Sequence, residues 1–273
     1  MKREEKRKLQ NSIHLGTHGE NYGSWISNMM FYNFGGMTFL AFALAFVFFK
    51  ITKITWIGIV LSIVAVGLLL YVLYISWVKK QYAYNGGQIM DHVHKSIVTY
   101  LDFDGQGKLL DVGCGSGALA IRCALTWPEA KIIGVDYWSA GYDYSKDMCE
   151  ENAELEGVGR NCAFMKEDAN HLAFPDESVD AVVSNYVYSN IPGADGQQLI
   201  RESLRVLKKG GVFAINDSMK QKAFGDIEEL ARELRNEGYK DVQVINTSQA
   251  ILGSEKNASM LFLKDSKMLV GVK

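Results

Sequence analysis

The sequence predicts an α/β domain preceded by a pair of apolar helices, and three observations support this fold class. Short apolar runs of strand length alternate with segments of helical periodicity from residue 108 to the C-terminus, which is typical of a mainly parallel sheet. A glycine-rich turn within Lys108-Leu-Leu-Asp-Val-Gly-Cys-Gly-Ser-Gly117 joins the first strand to an alanine-rich helix. Upstream lie two segments without a charged residue, 31–49 and 54–78. We therefore expect two structural parts.

Charge divides the 273 residues at the same place. The first 80 residues contain nine Lys or Arg and three Asp or Glu, whereas residues 81–273 contain 20 and 28. Since phosphate contacts require clustered basic side chains, the acidic C-terminal part argues against a nucleic-acid partner. We assign residues 1–28 to a basic juxtamembrane segment, 29–80 to a helical hairpin and 81–273 to the α/β domain.

Both apolar segments are long enough to span a bilayer as helices. At about 1.5 Å per residue they would extend about 28 and 37 Å, against a hydrocarbon core of about 30 Å. Only Lys50-Ile-Thr-Lys53 separates them, which favours a tight hairpin. The five basic residues near the N-terminus and Lys79-Lys80 outnumber the two in the loop, so the positive-inside rule predicts a multi-pass membrane protein with both termini in the cytosol. Trp25 and Trp77 would then lie near the inner interface and Trp56 near the outer one.

Two other interpretations of the hairpin remain open at this point. A cleaved signal peptide is one, because Ala41, Ala43 and Ala45 resemble the small residues of a cleavage site. The apolar run continues past them to Phe49 and a second apolar segment follows, which argues against cleavage. The other is a helical hairpin buried inside a soluble protein, in which twenty-five consecutive uncharged residues are rare.

The N-terminal segment and the cysteines predict no metal site. His14 and His18 have the four-residue spacing that can place two metal ligands on one helix face. Gly16 and Gly19 make that helix unfavourable, so residues 9–28 are expected to form a solvated linker. The four cysteines include no Cys-x-x-Cys pair and no histidine partner at metal-ligand spacing, which is consistent with a reduced, cytosolic setting.

The glycine turn is the predicted ligand site. Gly113, Gly115 and Gly117 remove every second side chain, so the backbone can lie against a ligand. The N-terminus of the next helix presents unpaired N–H groups to an anionic or carboxylate-bearing group. Cys114 is expected to be a small space-filling residue in this turn. The spacing Gly113-x-Gly115-x-x-Ala118 also matches the dinucleotide fingerprint, so the turn alone does not choose between a dehydrogenase and other nucleotide-binding proteins.

A second predicted strand, Lys131 to Asp136, places a carboxylate beside the glycine turn. The carboxyl ends of neighbouring parallel strands meet at one edge of a sheet, so Asp136 can accept hydrogen bonds from both ribose hydroxyls of a nucleoside. Tyr137 and Trp138 follow directly and could lie against an adenine ring or serve in packing. Asn185 ends the fourth strand at the same edge, and Tyr186 and Tyr188 follow it, so we expect all three beside the reaction site.

The order of four motifs resembles the Rossmann-like methyltransferases that use S-adenosylmethionine (SAM). These motifs are Asp-Val-Gly-Cys-Gly-Ser-Gly, the Asp168-Ala169 step, the Phe174-Pro-Asp176 turn and the fourth strand from Val179 to Asn185. NAD enzymes do not usually show this order. The resemblance covers residues 82–273 and implies a Rossmann-like seven-stranded methyltransferase sheet with helices on both faces, in which the last strand runs antiparallel between the fifth and the sixth.

The resemblance also implies SAM as cofactor and assigns residues to it. Asp111 would face the methionine end, and Asp168 would bond the adenine amine beside the Ala169 backbone. The cofactor-side residues are Asp111, Gly113, Cys114, Gly115, Gly117, Asp136, Tyr137, Trp138, Asp168, Ala169 and Asn185. The acceptor-side candidates are Tyr82, Tyr84, His92, His94, Tyr186 and Tyr188. For each of the four upstream candidates, a surface or packing role is the alternative.

No catalytic base is predicted, because Asn185, Tyr186 and Tyr188 are not strong bases. In-line methyl transfer can be accelerated by alignment and desolvation alone. The Asp-Ala and Phe-Pro-Asp segments are most similar to the branch that methylates quinones, sterols and small amphiphiles. Together with the hairpin they predict a membrane-anchored methyltransferase of a lipid, quinone or hydrophobic thiol. The alternatives are a methyltransferase of proteins or soluble metabolites, a non-catalytic SAM-binding membrane sensor or scaffold, and a dehydrogenase.

Overall fold

The computed structural model describes residues 1–23, 26–139 and 143–273, which form two compact units. The sheet unit comprises Met1–Tyr22, Ile89–Trp138 and Tyr144–Lys273. The hairpin unit comprises Gly23–Gln88 and Ser139–Asp143. Trp25, one of the predicted interfacial tryptophans, lies outside the described residues.

The sheet unit is built on seven strands in the order β3-β2-β1-β4-β5-β7-β6. Strands β1 to β5 pair in parallel, and β7 is antiparallel to both β5 and β6. The predicted seven-stranded fold is confirmed, including the last strand between the fifth and the sixth. The strands are β1 (Lys108–Val112), β2 (Lys131–Asp136), β3 (Cys162–Lys166), β4 (Val179–Asn185), β5 (Leu207–Ser218), β6 (Lys240–Asn246) and β7 (Ser266–Val272).

Helices connect the strands and also form the hairpin unit. The described residues also form a π-helical turn, Phe48–Thr52, and a short 3₁₀ segment, Tyr188–Asn190. The α-helices are α1 (Arg3–Ser12), α2 (Asn28–Val47), α3 (Thr55–Tyr82), α4 (Ile89–Tyr100), α5 (Ala118–Thr126), α6 (Lys146–Leu155), α7 (Gly196–Val206), α8 (Gln221–Phe224), α9 (Ile227–Asn236), α10 (Thr247–Leu252) and α11 (Glu255–Met260).

Helices α7 and α9 show how the sequence covers the sheet. Both are strongly amphipathic, so one face of each is buried in the main core while the other is solvated. Each begins at an aspartate, Asp195 or Asp226, whose carboxylate accepts hydrogen bonds from the first free backbone N–H groups. The Asp226 cap also separates α9 from the short helix α8, which ends at Phe224.

The segment Lys208-Lys-Gly-Gly211 is part of β5, which begins at Leu207. Val179 of β4 pairs with Leu207 of β5, whereas Ala181 pairs with Val212. Residues 208–211 of β5 are therefore accommodated as an irregularity in the pairing. Residues 258–263 overlap the end of α11, which ends at Met260.

The N-terminal segment is packed against the sheet unit, and the solvated linker expected over residues 9–28 is wrong for its first part, because Met1–Tyr22 are part of this unit. The Lys6 side chain is 2% exposed, and its ammonium donates to the carbonyl of Leu101. The Gln10 amide donates to Thr126 Oγ1 at 2.8 Å and accepts from Arg122 at 3.1 Å. A basic composition predicts solvation, but the long stems of these side chains are buried and only their polar ends need partners.

In the hairpin unit, α2 and α3 match the two predicted apolar segments. The helical runs Asn28–Thr52 and Thr55–Tyr82 contain 25 and 28 residues with mean hydropathies of 1.9 and 2.6. Only 17% and 11% of their most apolar windows are buried. Lys53, at a φ of 59°, reverses the chain between them. By length and composition, both helices could cross a membrane.

Candidate functional site

The glycine turn follows β1 directly and is held by the neighbouring strand. The carbonyl of Val135 accepts hydrogen bonds from Gly113 N at 2.7 Å and Cys114 N at 3.0 Å. Gly113 has a φ of 77°, and a Cβ at this position would overlap the Val187 side chain. A residue without a side chain is therefore required for both the backbone conformation and the space.

Asp136, at the end of β2, has its carboxylate directed at the glycine turn. Oδ2 accepts from Gly115 N at 2.9 Å, and Oδ1 accepts from Trp138 N at 2.7 Å. The Trp138 indole N–H donates to the carbonyl of Gly115 at 2.9 Å. The structure thus brings together three of the predicted cofactor-side residues. Each carboxylate oxygen keeps a further lone pair with which it could accept from a hydroxyl.

Asp111 is a second carboxyl group at this edge, and it is almost fully buried at 1% exposure. Among the described residues, its Oδ2 has no hydrogen-bond partner. Burial, and secondly the nearby Asp136, raise the pKa of Asp111 to about 8. A buried acceptor without a partner is costly unless a ligand supplies the donor. The positive amino group and hydroxyls of a nucleoside amino acid would suit this pair of carboxyl groups, so the residues present fit SAM.

Other predicted cofactor-side residues have contacts of their own. The Tyr137 ring is 58% exposed and lies 4.9 Å from the Lys166 ammonium. Asp168 is exposed, and its Oδ1 accepts from the backbone and side-chain nitrogens of Asn170 at 2.9 and 2.8 Å. Ala169 packs against the main core. Roles for Tyr137 and Asp168 in adenine binding stay predictions.

Asn185, at the end of β4, belongs to a buried chain of hydrogen bonds. Thr247 Oγ1 donates to Asn216 Oδ1 at 2.7 Å, and Asn216 Nδ2 donates to Asn185 Oδ1 at 2.9 Å. Asn185 Nδ2 lies 2.9 Å from His94 Nε2, so it donates to the unprotonated nitrogen of a neutral ring. Burial, followed by Arg122, lowers the pKa of His94 to about 3. The imidazole is therefore neutral at physiological pH.

The acceptor-side candidates after β4 are more enclosed than expected. The Tyr188 side chain is 2% exposed, and its hydroxyl pairs with Ser203 at 2.6 Å within the main core. The Tyr186 hydroxyl donates to Ser266 at 2.9 Å, and burial raises its pKa to about 12. A position after a strand end predicts proximity to the site but not the direction of the side chain. Tyr188 is therefore a core residue and not part of an open site wall.

The upstream candidates divide between the two units. On α4, His92 is exposed whereas His94 is buried, so only one of the two predicted histidines faces the interior of the sheet unit. Tyr82 and Tyr84 belong to the hairpin unit, where Tyr82 is 3% exposed and Tyr84 is half-buried. Their role as acceptor-side residues stays a prediction.

Three residues around the turn were not predicted from the sequence. The Tyr144 ring would lie 3.5 Å from a Cβ at Gly115, and Val187 covers Gly113. Asn152 on α6 donates to the carbonyl of Ser116 at 3.0 Å and to that of Asn21 at 2.9 Å. None of them occupies a motif position, and only the amphipathic pattern of α6 indicates that Asn152 faces inward.

The sheet order and the glycine turn define a Rossmann-like α/β domain at the centre of the chain. Residues 110–215 match the family model described as a methyltransferase domain. Over these residues the chain is therefore a methyltransferase domain by its match, and its seven-stranded sheet has the fold of the class I SAM-dependent methyltransferases. Among solved structures, the geranyl diphosphate C-methyltransferase of Streptomyces coelicolor, in complex with Mg²⁺, geranyl diphosphate and S-adenosyl-L-homocysteine, is similar with a TM-score of 0.53 and 13% identity. That likeness covers 67% of this chain and 79% of the other.

The fold alone does not fix the reaction. The [4+2]-cyclase SpnF is similar with a TM-score of 0.52 and 20% identity, covering 66% of this chain and 80% of that one. Likeness at this level shows the same fold and leaves the reaction open.

Curated relatives include methyltransferases of lipophilic molecules. A sterol 24-C-methyltransferase of Aspergillus fumigatus is 33% identical over 128 residues, 47% of this chain and 32% of that protein. A ubiquinone/menaquinone biosynthesis C-methyltransferase of Desulfotalea psychrophila is 33% identical over 107 residues, 39% of each chain. A fatty-acid O-methyltransferase of Mycolicibacterium smegmatis is 29% identical over 174 residues, 62% of this chain and 57% of that protein. The chain spans only about a third to just over half of their lengths.

Proposed function

We propose that this chain is a membrane-anchored, SAM-dependent methyltransferase of a small lipophilic acceptor. The observation that carries the proposal is the combination in one chain of a methyltransferase domain with two exposed apolar helices of membrane-spanning length. Relatives named for sterol, quinone and fatty-acid substrates support the lipophilic class. A membrane anchor would confine the domain to the bilayer surface and so raise the local concentration of an acceptor dissolved in lipid.

The cofactor side of the proposal rests on the two carboxyl groups and the glycine turn. Asp136 would bind the ribose hydroxyls while Gly115 and Trp138 hold its carboxylate in place. Asp111 Oδ2, buried without a partner among the described residues, would bind the amino group of the methionine part. Asn185 would complete this end of the site, with its amide held by His94 and Asn216. SAM, when bound there, supplies an activated methyl group on a sulfonium.

On the acceptor side, the residues of this chain favour alignment over proton transfer. His94 is held neutral and its Nε2 is occupied by Asn185, so it is a poor base at physiological pH. Burial raises the pKa of Tyr186, which makes its phenolate rare. Orientation and exclusion of water can supply much of the acceleration of an in-line displacement. An acceptor that is already nucleophilic, such as a thiolate or an electron-rich ring carbon, fits this site best.

Labelled product analysis tests the proposal. Membranes from cells that overproduce the chain are supplied with SAM carrying a labelled methyl group and then extracted with organic solvent. We expect label in the lipid phase. An Asp136→Ala variant should lose this label, because removing the carboxylate weakens SAM binding by about 100-fold or more, roughly 3 kcal/mol for a charged hydrogen-bond acceptor.

The same experiment separates the alternatives. Label confined to water-soluble molecules would favour a metabolite methyltransferase, and label on protein gels would favour a protein substrate. Tight SAM binding by the purified protein with no label in any phase would favour a sensor or scaffold. A fluorescent-protein fusion that leaves the membrane fraction at high salt would contradict the anchor, since an inserted hairpin is retained without electrostatic attraction.

A further inference from the structure

A compact cluster of three side chains lies where the N-terminal segment meets the end of α6. Nδ1 of His18 lies 3.0 Å from Glu20 Oε1 and 3.7 Å from Glu156 Oε2. The three potential ligand atoms all lie within 4.8 Å of one another. All three residues belong to the sheet unit, and none of them is a residue of the glycine turn.

In each carboxylate of this cluster, one oxygen accepts hydrogen bonds from neighbouring groups and the other oxygen points toward His18. Glu156 Oε1 accepts from Gly16 N at 3.2 Å and from the Tyr22 hydroxyl at 3.0 Å, while Oε2 faces His18. Glu20 Oε2 accepts from His18 N at 2.8 Å, while Oε1 faces the His18 ring. Outer hydrogen bonds that orient one carboxylate oxygen are typical of the second shell around a metal ion.

The charges of the cluster are poorly balanced by protein groups. The Glu20 and Glu156 side chains are 0% and 4% exposed, whereas the His18 side chain is 61% exposed. In the described part of the chain, His18 is the only basic side chain that forms an ion pair with either carboxylate. Two buried carboxylates with one imidazole between them carry excess negative charge, which a divalent cation would neutralise.

The geometry and the donor types define the class of ion. A tetrahedral zinc site with bonds of about 2.0–2.1 Å places neighbouring ligand atoms roughly 3.3 Å apart, close to the two separations from His18 Nδ1. One imidazole nitrogen and two carboxylate oxygens suit a borderline transition metal better than Mg²⁺ or Ca²⁺, which prefer oxygen ligands only.

We propose that His18, Glu20 and Glu156 bind one divalent transition-metal ion of the zinc class. The ion would fasten residues 16–22 to the end of α6. Asn152, one turn earlier on α6, already bonds Asn21 and the carbonyl of Ser116, so the metal would reinforce an attachment next to the glycine turn. This inference does not depend on the methyl-transfer proposal, because binding of the metal alone tests it.

Titration calorimetry on the full-length, untagged protein in detergent tests the site after chelator treatment. We expect one Zn²⁺ per chain with a Kd of 10 µM or lower, which corresponds to a favourable binding free energy of about 7 kcal/mol or more. His18→Gln and Glu156→Gln should each weaken this binding by at least tenfold. His14→Gln and Glu154→Gln serve as matched controls, since both side chains are exposed, close to His18 and Glu156 in the sequence, and outside the cluster. Their affinity should stay within twofold of wild type.

Two outcomes would overturn the proposal. One is the absence of saturable Zn²⁺ binding with a Kd below 100 µM, a binding free energy of about 5.5 kcal/mol. His18 would then only form ion pairs with Glu20 and Glu156. The other is binding that His18→Gln leaves unchanged, which would place the ion elsewhere, for example on cysteine. If Glu156→Gln fails to fold, His18→Gln still decides, because its side chain is mostly exposed. Zn²⁺ should also raise the Tm of wild type and not that of His18→Gln.

Discussion

The hairpin helices and α5 are all mainly apolar, but their surroundings are opposite. Eight of the nine residues of α5 are buried in the sheet unit. In α2 and α3, fewer than one residue in five is buried within the most apolar windows. Water would penalise the exposed surface of α2 and α3, at about 25 cal/mol per Å² of apolar area. Apolar composition therefore describes the medium that a helix requires, and this medium can be protein or lipid.

Polar side chains show the same division. In the hairpin, the hydroxyls of Thr38, Ser62 and Ser76 each donate to the carbonyl four residues earlier, so these helices satisfy them locally. In the sheet unit, Asn185 and Asn216 bond across different strands, and Asp111 Oδ2 has no partner among the described residues. In a bilayer, polar groups must find hydrogen-bond partners within their own helix or its neighbours. At the strand ends of the sheet unit, long-range polar contacts instead orient side chains that could bind a ligand.

A matched pair of isoleucine substitutions should give the largest effect. Ile121 in α5 is fully buried and Ile63 in α3 is 67% exposed. Ile121→Asp should destabilise the sheet unit by more than about 4 kcal/mol, because it places a carboxylate in a packed core. Ile63→Asp should leave the unfolding of the sheet unit unchanged but disfavour membrane insertion by about 3 kcal/mol. Circular dichroism melts and alkaline extraction of membranes measure the two effects.

A contradictory result would be that Ile63→Asp lowers the melting temperature of the sheet unit as much as Ile121→Asp does. In that case α3 would be a core helix covered by protein, and the membrane proposal would lose its main support. Ile63→Leu provides the conservative control for expression and should behave like wild type in both assays.

Local patterns in the sequence predicted most of the fold. The strands, the glycine turn, the hairpin and the position of Asp136 follow from periodicity, glycine spacing and charge, which depend on neighbouring residues. The docking of residues 1–22 was not predictable, because the partners of Lys6 and Gln10 lie about a hundred residues away in the chain. The same limit applies to Glu156, which joins His18 and Glu20 only in the folded chain.

Side-chain direction was the second limit at the site. His92 and His94 are two residues apart on one helix, and periodicity alone did not decide which of them faces the sheet. Tyr188 follows a strand end, yet the 3₁₀ segment turns its ring into the main core. A position at the carboxyl edge of a sheet therefore predicts where the backbone lies, and packing then decides what the side chain contacts.

Asp111→Asn should have the next largest effect, and it tests the buried polar contacts of the sheet unit. Because the folded-state pKa of about 8 lies above the ordinary 3.8, the folded protein holds a proton that the unfolded chain releases between these pH values. Stability without cofactor therefore falls as the pH rises through this window. The variant should be more stable than wild type at pH 8 by about 1–3 kcal/mol, with a smaller gain at pH 5, and should bind SAM more weakly.

Urea unfolding at pH 5 and pH 8 measures this gain, with exposed Asp168→Asn as the matched control. A variant that is less stable than wild type at pH 8 would show that the Asp111 carboxyl stabilises the fold in the absence of ligand. Asp111 would then be a structural residue, and its proposed contact with the cofactor would need another donor.

His94→Gln should give the smallest of the three effects. The pKa of His94 is lowered to about 3, so the folded protein excludes a proton that the unfolded chain binds below its ordinary value of 6.5. The stabilisation is complete above pH 6.5 and is lost as the pH falls toward 3, by about 1–2 kcal/mol between pH 7 and pH 5. His94→Gln should be less stable than wild type at pH 7 by about 1 kcal/mol, because the contact with Asn185 is perturbed, and should lose less on acidification.

Two controls decide whether this effect belongs to the buried polar chain. His92→Gln changes the exposed histidine of the same helix and should follow the wild-type pH dependence. Thr38→Val removes a hydroxyl that the hairpin satisfies within one helical turn, and should change stability by less than about 0.5 kcal/mol at either pH. If His92→Gln and His94→Gln flattened the pH dependence equally, acid sensitivity would be a property of the surface of α4. The contrast between local and long-range polar contacts would then not extend to His94.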